Sequence, residues 1–212
     1  MSTALDFTAH DPKTGSILLA GAAPFVPQAL PEEVKGLPVI AVDGGIHAMP
    51  SAFLWAGDGD SGFQPRDIPS FVKNSQDLTD LAFTFAGIRN WVWHDVHLAG
   101  FWGSRMDHAL AVLGTLQAEM KQRALFSRAV LYGPLGNVAA VMLPAGEDHL
   151  IVVEGVFSVM ALEGAMITLY GDCDYRAGNL VLPPLSGLGV SNKGHGSVSL
   201  ATDAPVFVMF PT

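Results

Sequence analysis

Basic residues are scarce in this chain and cysteine is nearly missing, and each shortage narrows what the protein can be. Only 11 of 212 residues are Lys or Arg against 20 Asp and Glu, a formal net charge of −9. A nucleic-acid binder needs a cationic stripe to displace phosphate counterions, so no nucleic-acid partner is expected. The single cysteine, Cys173, leaves neither a disulfide framework nor a Cys-based zinc site and fits a reducing compartment. Apolar runs reach about ten residues at most, far short of the ~20 that span a bilayer. Met1 to Lys13 has neither a basic n-region nor an apolar h-region, so no signal peptide is expected. A soluble, cytoplasmic protein without a membrane partner is the expectation. Also absent are the Gly-x-x-x-x-Gly-Lys-Ser/Thr phosphate loop, a dinucleotide Gly-x-Gly-x-x-Gly, His-Glu-x-x-His and the Gly-x-Ser-x-Gly elbow.

What is present is half hydrophobic and only 15% charged, the balance of a compact chain with few solvated tails. Ser16–Ala20, Val39–Val42, Phe53–Ala56 and Val96–Ala99 are short and almost wholly apolar. Runs of that kind predict strands of a parallel sheet covered on both faces. A Gly-rich or acidic turn follows each of them, and open α/β sheets put their ligand crevice at such strand ends. A helix is predicted from Asp77, with Leu78, Leu81, Phe85 and Ile88 on one face. Another is predicted from Met106, with Leu110, Leu113 and Met120. Past Pro144-Ala145-Gly146 the helical period stops. Leu150–Val153, Val156–Val159, Met166–Leu169, Ser197–Leu200 and Val206–Met209 predict an antiparallel sandwich or meander.

Three acidic motifs carry the chemistry. Gly57-Asp58-Gly59-Asp60-Ser61 sets two carboxylates two positions apart, able to face one way in an extended turn. Magnesium takes oxygen ligands, commonly one or two carboxylates plus substrate phosphates; Asp, Gly and Ser are equally the ordinary residues of a surface turn. In Gln76-Asp77-Leu78-Thr79-Asp80 the two acids would share a helix face, yet acids also favour a first turn as caps. In Gly103-Ser104-Arg105-Met106-Asp107-His108, Arg105 could clamp a phosphate bidentately or simply pair with Asp107. His108 suits a general base, but a lone helical His more often packs or caps.

Taken in order, these motifs resemble the thiamin pyrophosphokinase family. Asp43-Gly44-Gly45 is similar to its Asp-Gly-Gly turn, and Gly57–Ser61 to its Gly-Asp-x-Asp-Ser signature. Gln76–Asp80 resembles its Thr-Asp helix start, and Gly103–His108 its Gly-x-Arg-x-Asp-His element. Asn137, Phe157-Ser158 and Ser191-Asn192 continue the likeness along nearly the whole chain. The resemblance implies an α/β N-terminal domain with a mostly parallel sheet, residues 1–144, binding ATP and magnesium. A smaller C-terminal β-sandwich, residues 145–212, would bind thiamine, and the enzyme would be a homodimer. The implied reaction is pyrophosphate transfer from ATP to thiamine, giving thiamine diphosphate and AMP. The resemblance also implies roles. Asp43, Asp58, Asp60 and Asp80 would gather magnesium, with Asp58, Asp60, Asp80 and Asp107 catalytic. Asp43, Gly44, Gln76, Thr79 and Arg105 would position the substrates, as would Ser191 and Asn192 on the thiamine side.

The sequence departs from the family pattern at five places, one of them Leu98-Ala99-Gly100-Phe101-Trp102, which is more aromatic than usual. Gly59 stands where a bulky residue is usual, His47 where Asn is, and Ser104 where Gly is, while Asp174–Ala177 replaces a Gly-Leu-Lys-Tyr-like segment. A pyrophosphokinase acting on another small heterocyclic alcohol is therefore one alternative. A non-catalytic thiamine- or nucleotide-binding protein of the same fold is the other.

Overall fold

The structure is a computed structural model that describes residues 15–211 apart from 62, 63, 92, 104 and 124. Met1–Lys13 and Ser104 thus lie outside the described residues. Four strands form where apolar runs predicted them: β1 (Ile17–Ala20), β2 (Val39–Val42), β3 (Leu54–Gly57) and β5 (Trp93–Ala99), with the short β4 (Ser70–Val72) between the last two. Among the described residues there are three α-helices: α1 (Glu32–Lys35) and α2 (Asp80–Gly87) between these strands, and α3 (Met106–Arg123) after β5. Then come β6 (Phe126–Tyr132), β7 (Val138–Leu143), β8 (Gly146–Met160), β9 (Ala165–Cys173), β10 (Ala177–Leu182), β11 (Asn192–Thr202) and β12 (Val206–Met209).

The expected α/β domain with a mostly parallel sheet is overturned. The twelve strands of the described residues belong to one sheet, in the order β10-β9-β11-β8-β12-β7-β6-β5-β1-β2-β3-β4. Six of its eleven pairings among the described residues are antiparallel. The parallel pairings are confined to the run from β4 to β6. Two of the three helices span only four and eight residues. A buried strand is apolar on both faces whatever its neighbours' direction, so the apolar runs could not reveal that β7 and β12 would extend the sheet antiparallel.

Alternation along the strands explains how the sheet is covered. Ile17 and Leu19 point into a core with Leu81 and Phe85 of α2, Ile88 just past its end, and Val112, Leu113 and Leu116 of α3. Leu18 and Ala20 point to the opposite face, against Val34 of α1 and Ile46. A third core joins Val153, Phe157, Ile167 and Leu200 of the antiparallel region. β12 has one face in each of two cores: Phe207 packs with α2 and α3, while Val206 and Val208 pack with β8, β9 and β11. Leu150–Val153 and Val156–Val159, expected as two strands, form the single strand β8, which runs through Gly155 at φ 112° with its pairing to β11 unbroken. Among the described residues no helix is long and apolar enough to cross a membrane.

Helix α2 starts later than its apolar pattern predicts. Thr79 is its N-cap, extended at φ −67° and ψ 158°, and its hydroxyl accepts the Ala82 N–H at 3.2 Å. That cap leaves Asp77 outside the helix, so Asp77 and Asp80 do not share a helical face. Replacing Thr79 with Ala is expected to cost about 1 kcal/mol of stability. Urea unfolding of Thr79→Ala beside Thr79→Ser checks this, with the serine variant staying close to wild type.

Candidate functional site

The order in which the chain adds strands to the parallel run reverses at β1, because β2 lies on one side of it and β5 on the other. The turns after β1, β2, β3 and β5 therefore open along one edge of the sheet, where ligands of such sheets bind. Backbone hydrogen bonds tie two of these turns together: Gly21 N–H donates to Ala99 O at 2.8 Å and Ala23 N–H to Gly100 O at 2.9 Å.

Asp43 follows β2 directly and opens a 3-10 turn, Asp43–His47. It adopts φ 48°, a left-handed conformation that costs a non-glycine residue free energy and marks a position held by its surroundings. Two contacts hold it. The Trp55 indole N–H donates to the Asp43 carbonyl at 2.9 Å, and Ser61 Oγ donates to Asp43 Oδ1 at 3.1 Å. Behind it, Gly45 packs so tightly on β1 that a Cβ there would lie 1.8 Å from Ala20 O. Gly44 faces Ala22 and Ser61. After β3, Gly59 at φ 77° turns the chain so that the Asp60 N–H reaches back to Asp58 Oδ1 at 3.1 Å.

These turns bring three carboxylates together. One oxygen each of Asp43, Asp58 and Asp60 lies within 4.8 Å of the others. Asp58 is held down to about 2, by the Asp60 backbone N–H first, then by the Gln76 amide and Lys73, against the effect of burial. Gln76 Nε2 donates to Asp58 Oδ2 at 3.1 Å. Asp60 shifts the other way: the negative charge of Asp58, and then of Asp43, raises its pKa. Repulsion of that kind is what a bound cation relieves. An all-oxygen donor set with surplus negative charge fits a magnesium ion.

Asp80 is not among the mutually close carboxylates. Its Oδ1 faces the Lys73 ammonium at 3.0 Å. Lys73, buried just beyond β4, was not legible in the sequence: β4 is three residues long with polar neighbours, and nothing marked its end as another site-lining turn. Thr79 is occupied as the α2 cap. Arg105 and Asp107 form a two-pronged ion pair with each other, Nε to Oδ1 at 3.1 Å and Nη2 to Oδ2, rather than with the trio. Asp107 falls to about 2, chiefly through that pairing. Arg105 also borders a cavity of about 400 Å³ walled by Trp102, Met106, Leu110, Met160, Leu185 and Phe207. Ser191 and Asn192 lie elsewhere in the sheet. The Ser191 N–H donates to Ser158 Oγ at 3.1 Å, which joins two of the resemblance motifs. Buried Asn192 clamps Tyr175, accepting its N–H at 3.0 Å and donating to its carbonyl at 2.7 Å.

Comparison with solved structures bears on this arrangement. The fold superposes on a thiamine pyrophosphokinase from Bacillus subtilis with a TM-score of 0.71, covering 93% of this chain and 99% of the other at 17% identity. The fold is the one those enzymes share. Thiamin pyrophosphokinase from Candida albicans gives 0.71 at 11% identity, covering 92% and 88%. Yeast thiamin pyrophosphokinase gives 0.69 at 11%, covering 92% and 86%. No protein-family model matches the chain, and no curated protein matches it in sequence. The likeness to these thiamin pyrophosphokinases is therefore one of fold, reached at identities where few side chains are shared.

Proposed function

We propose that this chain is a magnesium-dependent pyrophosphokinase that transfers pyrophosphate from ATP to thiamine, yielding thiamine diphosphate and AMP. The observation that carries the reading is the Asp43, Asp58 and Asp60 trio at the ends of neighbouring parallel strands, in a chain with the fold of solved thiamin pyrophosphokinases. Asp43, Asp58 and Asp60 would hold magnesium, which when bound offsets the charge of the triphosphate. The protein's own work is positioning. Trp55 and Ser61 fix Asp43, and Gln76 fixes Asp58. Arg105, presented in a planar pair by Asp107, would exchange that partner for a phosphate. The acceptor hydroxyl oxygen attacks the β-phosphorus and gives up its proton to water, the bond from that phosphorus to the α–β bridging oxygen breaks with its electron pair on that oxygen, and AMP leaves.

The cavity beside Arg105 is large enough for a heterocyclic ring and is walled by apolar and thioether groups suited to one. In this reading residues 1–144 serve ATP and the metal, while residues 145–212 serve thiamine, with Ser191 and Asn192 shaping its site. Thr79 and Asp80 would act by fixing the start of α2, and Gly44 by letting a phosphate approach. A homodimer in the cytoplasm completes the proposal. One observation favours a different heterocyclic alcohol as acceptor: the Asn192 amide is spent on Tyr175, in the Asp174–Ala177 segment where the sequence departs from the family.

Incubating the protein with ATP, magnesium and thiamine is expected to form AMP and thiamine diphosphate in equal amounts. AMP formed with another alcohol from a panel, but not with thiamine, would move the assignment to that acceptor. Folded protein that makes no AMP with any of them, yet binds thiamine or ATP without metal, would make it a binding protein instead.

A further inference from the structure

Lys73 is a positive charge built into the acidic site. Its side chain is 5% exposed, and its Nζ is ringed by three oxygens: Asp80 Oδ1 at 3.0 Å, Asp58 Oδ2 at 3.2 Å and the Leu78 carbonyl at 3.2 Å, to which it donates. Those oxygens come from three segments: the turn after β3, the approach to α2 and the first residue of α2. Asp80 Oδ1 is shut off from solvent and accepts no well-aligned hydrogen bond, so Lys73 holds it by charge. Two carboxylate oxygens and a carbonyl oxygen around one buried nitrogen are a setting that suits an ammonium. The cation between Asp58 and Asp80 is therefore already present, and it is part of the chain.

We propose that Lys73 is a positioning residue standing where a second metal ion would otherwise bridge Asp58 and Asp80. It thereby limits the nucleotide-free protein to one ion, at Asp43, Asp58 and Asp60. This rests on the metal-binding part of the proposed function but not on the acceptor. Removing a buried cation leaves two carboxylates facing each other uncompensated, which is strongly unfavourable unless another cation enters. A divalent ion is the replacement that the oxygens left behind would accept.

The test counts bound manganese per chain without nucleotide, from the electron paramagnetic resonance of the free ion. Wild type is expected to bind one ion, Lys73→Met two, and Lys73→Arg one, because the guanidinium restores the charge. Lys73→Met should also gain more in thermal midpoint from manganese than wild type does. A wild-type count of two or none, or a Lys73→Met count of one, would overturn the proposal. Should Lys73→Met fail to fold, the wild-type count still decides. So does Lys73→Met/Asp80→Asn, which removes the ammonium with one of its carboxylates and is expected to bind one ion; two would overturn it. AMP formation reports separately. One bound ion without AMP leaves Lys73 its role and removes the reaction.

Discussion

Asp60→Asn is expected to lower AMP formation from ATP and thiamine by roughly a hundred- to thousand-fold, the usual effect of deleting one preorganised electrostatic contact in an active site. It should also weaken manganese binding, since Asp60 supplies one of three close carboxylates. Stability should move the opposite way. The charges of Asp58 and Asp43 raise the Asp60 pKa above its ordinary 3.8. A carboxyl group raised in the fold contributes stability that is present below 3.8 and lost as pH rises through the folded value. At neutral pH the metal-free wild type therefore carries repulsion that the asparagine variant lacks. Thermal unfolding in a chelator should give the variant the higher midpoint, with the gap widening as pH rises through that window. Saturating manganese should reverse the order. Turnover near wild type in Asp60→Asn would remove the metal role, and an unchanged metal-free midpoint would remove the electrostatic account.

Gly45→Ala is expected to be the most damaging single-methyl change near the site. The added Cβ would sit 1.8 Å from Ala20 O and 2.5 Å from Ala20 C. Both belong to a fully buried strand, so no flexible side chain can yield. The turn from Asp43 to His47 must lift off β1 instead. Overpacking a tight site costs about 1–3 kcal/mol, and because the same turn carries Asp43, manganese affinity should fall with stability. Urea unfolding and manganese titration of the one variant test both halves together. A variant with wild-type stability and metal affinity would show that the turn moves freely.

Much of the site was legible because its residues follow strands that sequence reveals well. β1, β2, β3 and β5 are apolar enough to find, and the acids after β2 and β3 then fall at one edge of the sheet. What escaped notice depends on contacts distant in sequence. In β6, Ser127 and Arg128 interrupt the apolar pattern, and Arg128 is tolerated because it pairs with Asp95 on the neighbouring strand at 2.6 and 3.0 Å. Lys73 reads as an ordinary surface lysine until the fold puts Asp58 and Asp80 on either side of it. Asp77 seemed helical because the apolar period extends back to Leu78, but the Thr79 hydroxyl caps the helix two residues later. Ser191 and Asn192 are near the expected β-strand region, yet their hydrogen bonds serve the backbone of Tyr175 and the side chain of Ser158. The largest loss was the joining of the two regions into one sheet, since a run such as Val206–Met209 carries no mark of the strands it will lie between.

The position of β12 bears on how the molecule is made. Residues 206–209 slot between β7 and β8, with one flank in each of two cores. A ribosome releases this segment only after more than 200 preceding residues, so both cores stay open at a seam while those residues emerge. Strand insertion across the 47 to 69 residues between β12 and its partners is slow, because loop closure must precede any gain in contact energy. During synthesis β7 and β8 present unpaired edges to the cell, the condition under which nascent chains aggregate or need a chaperone.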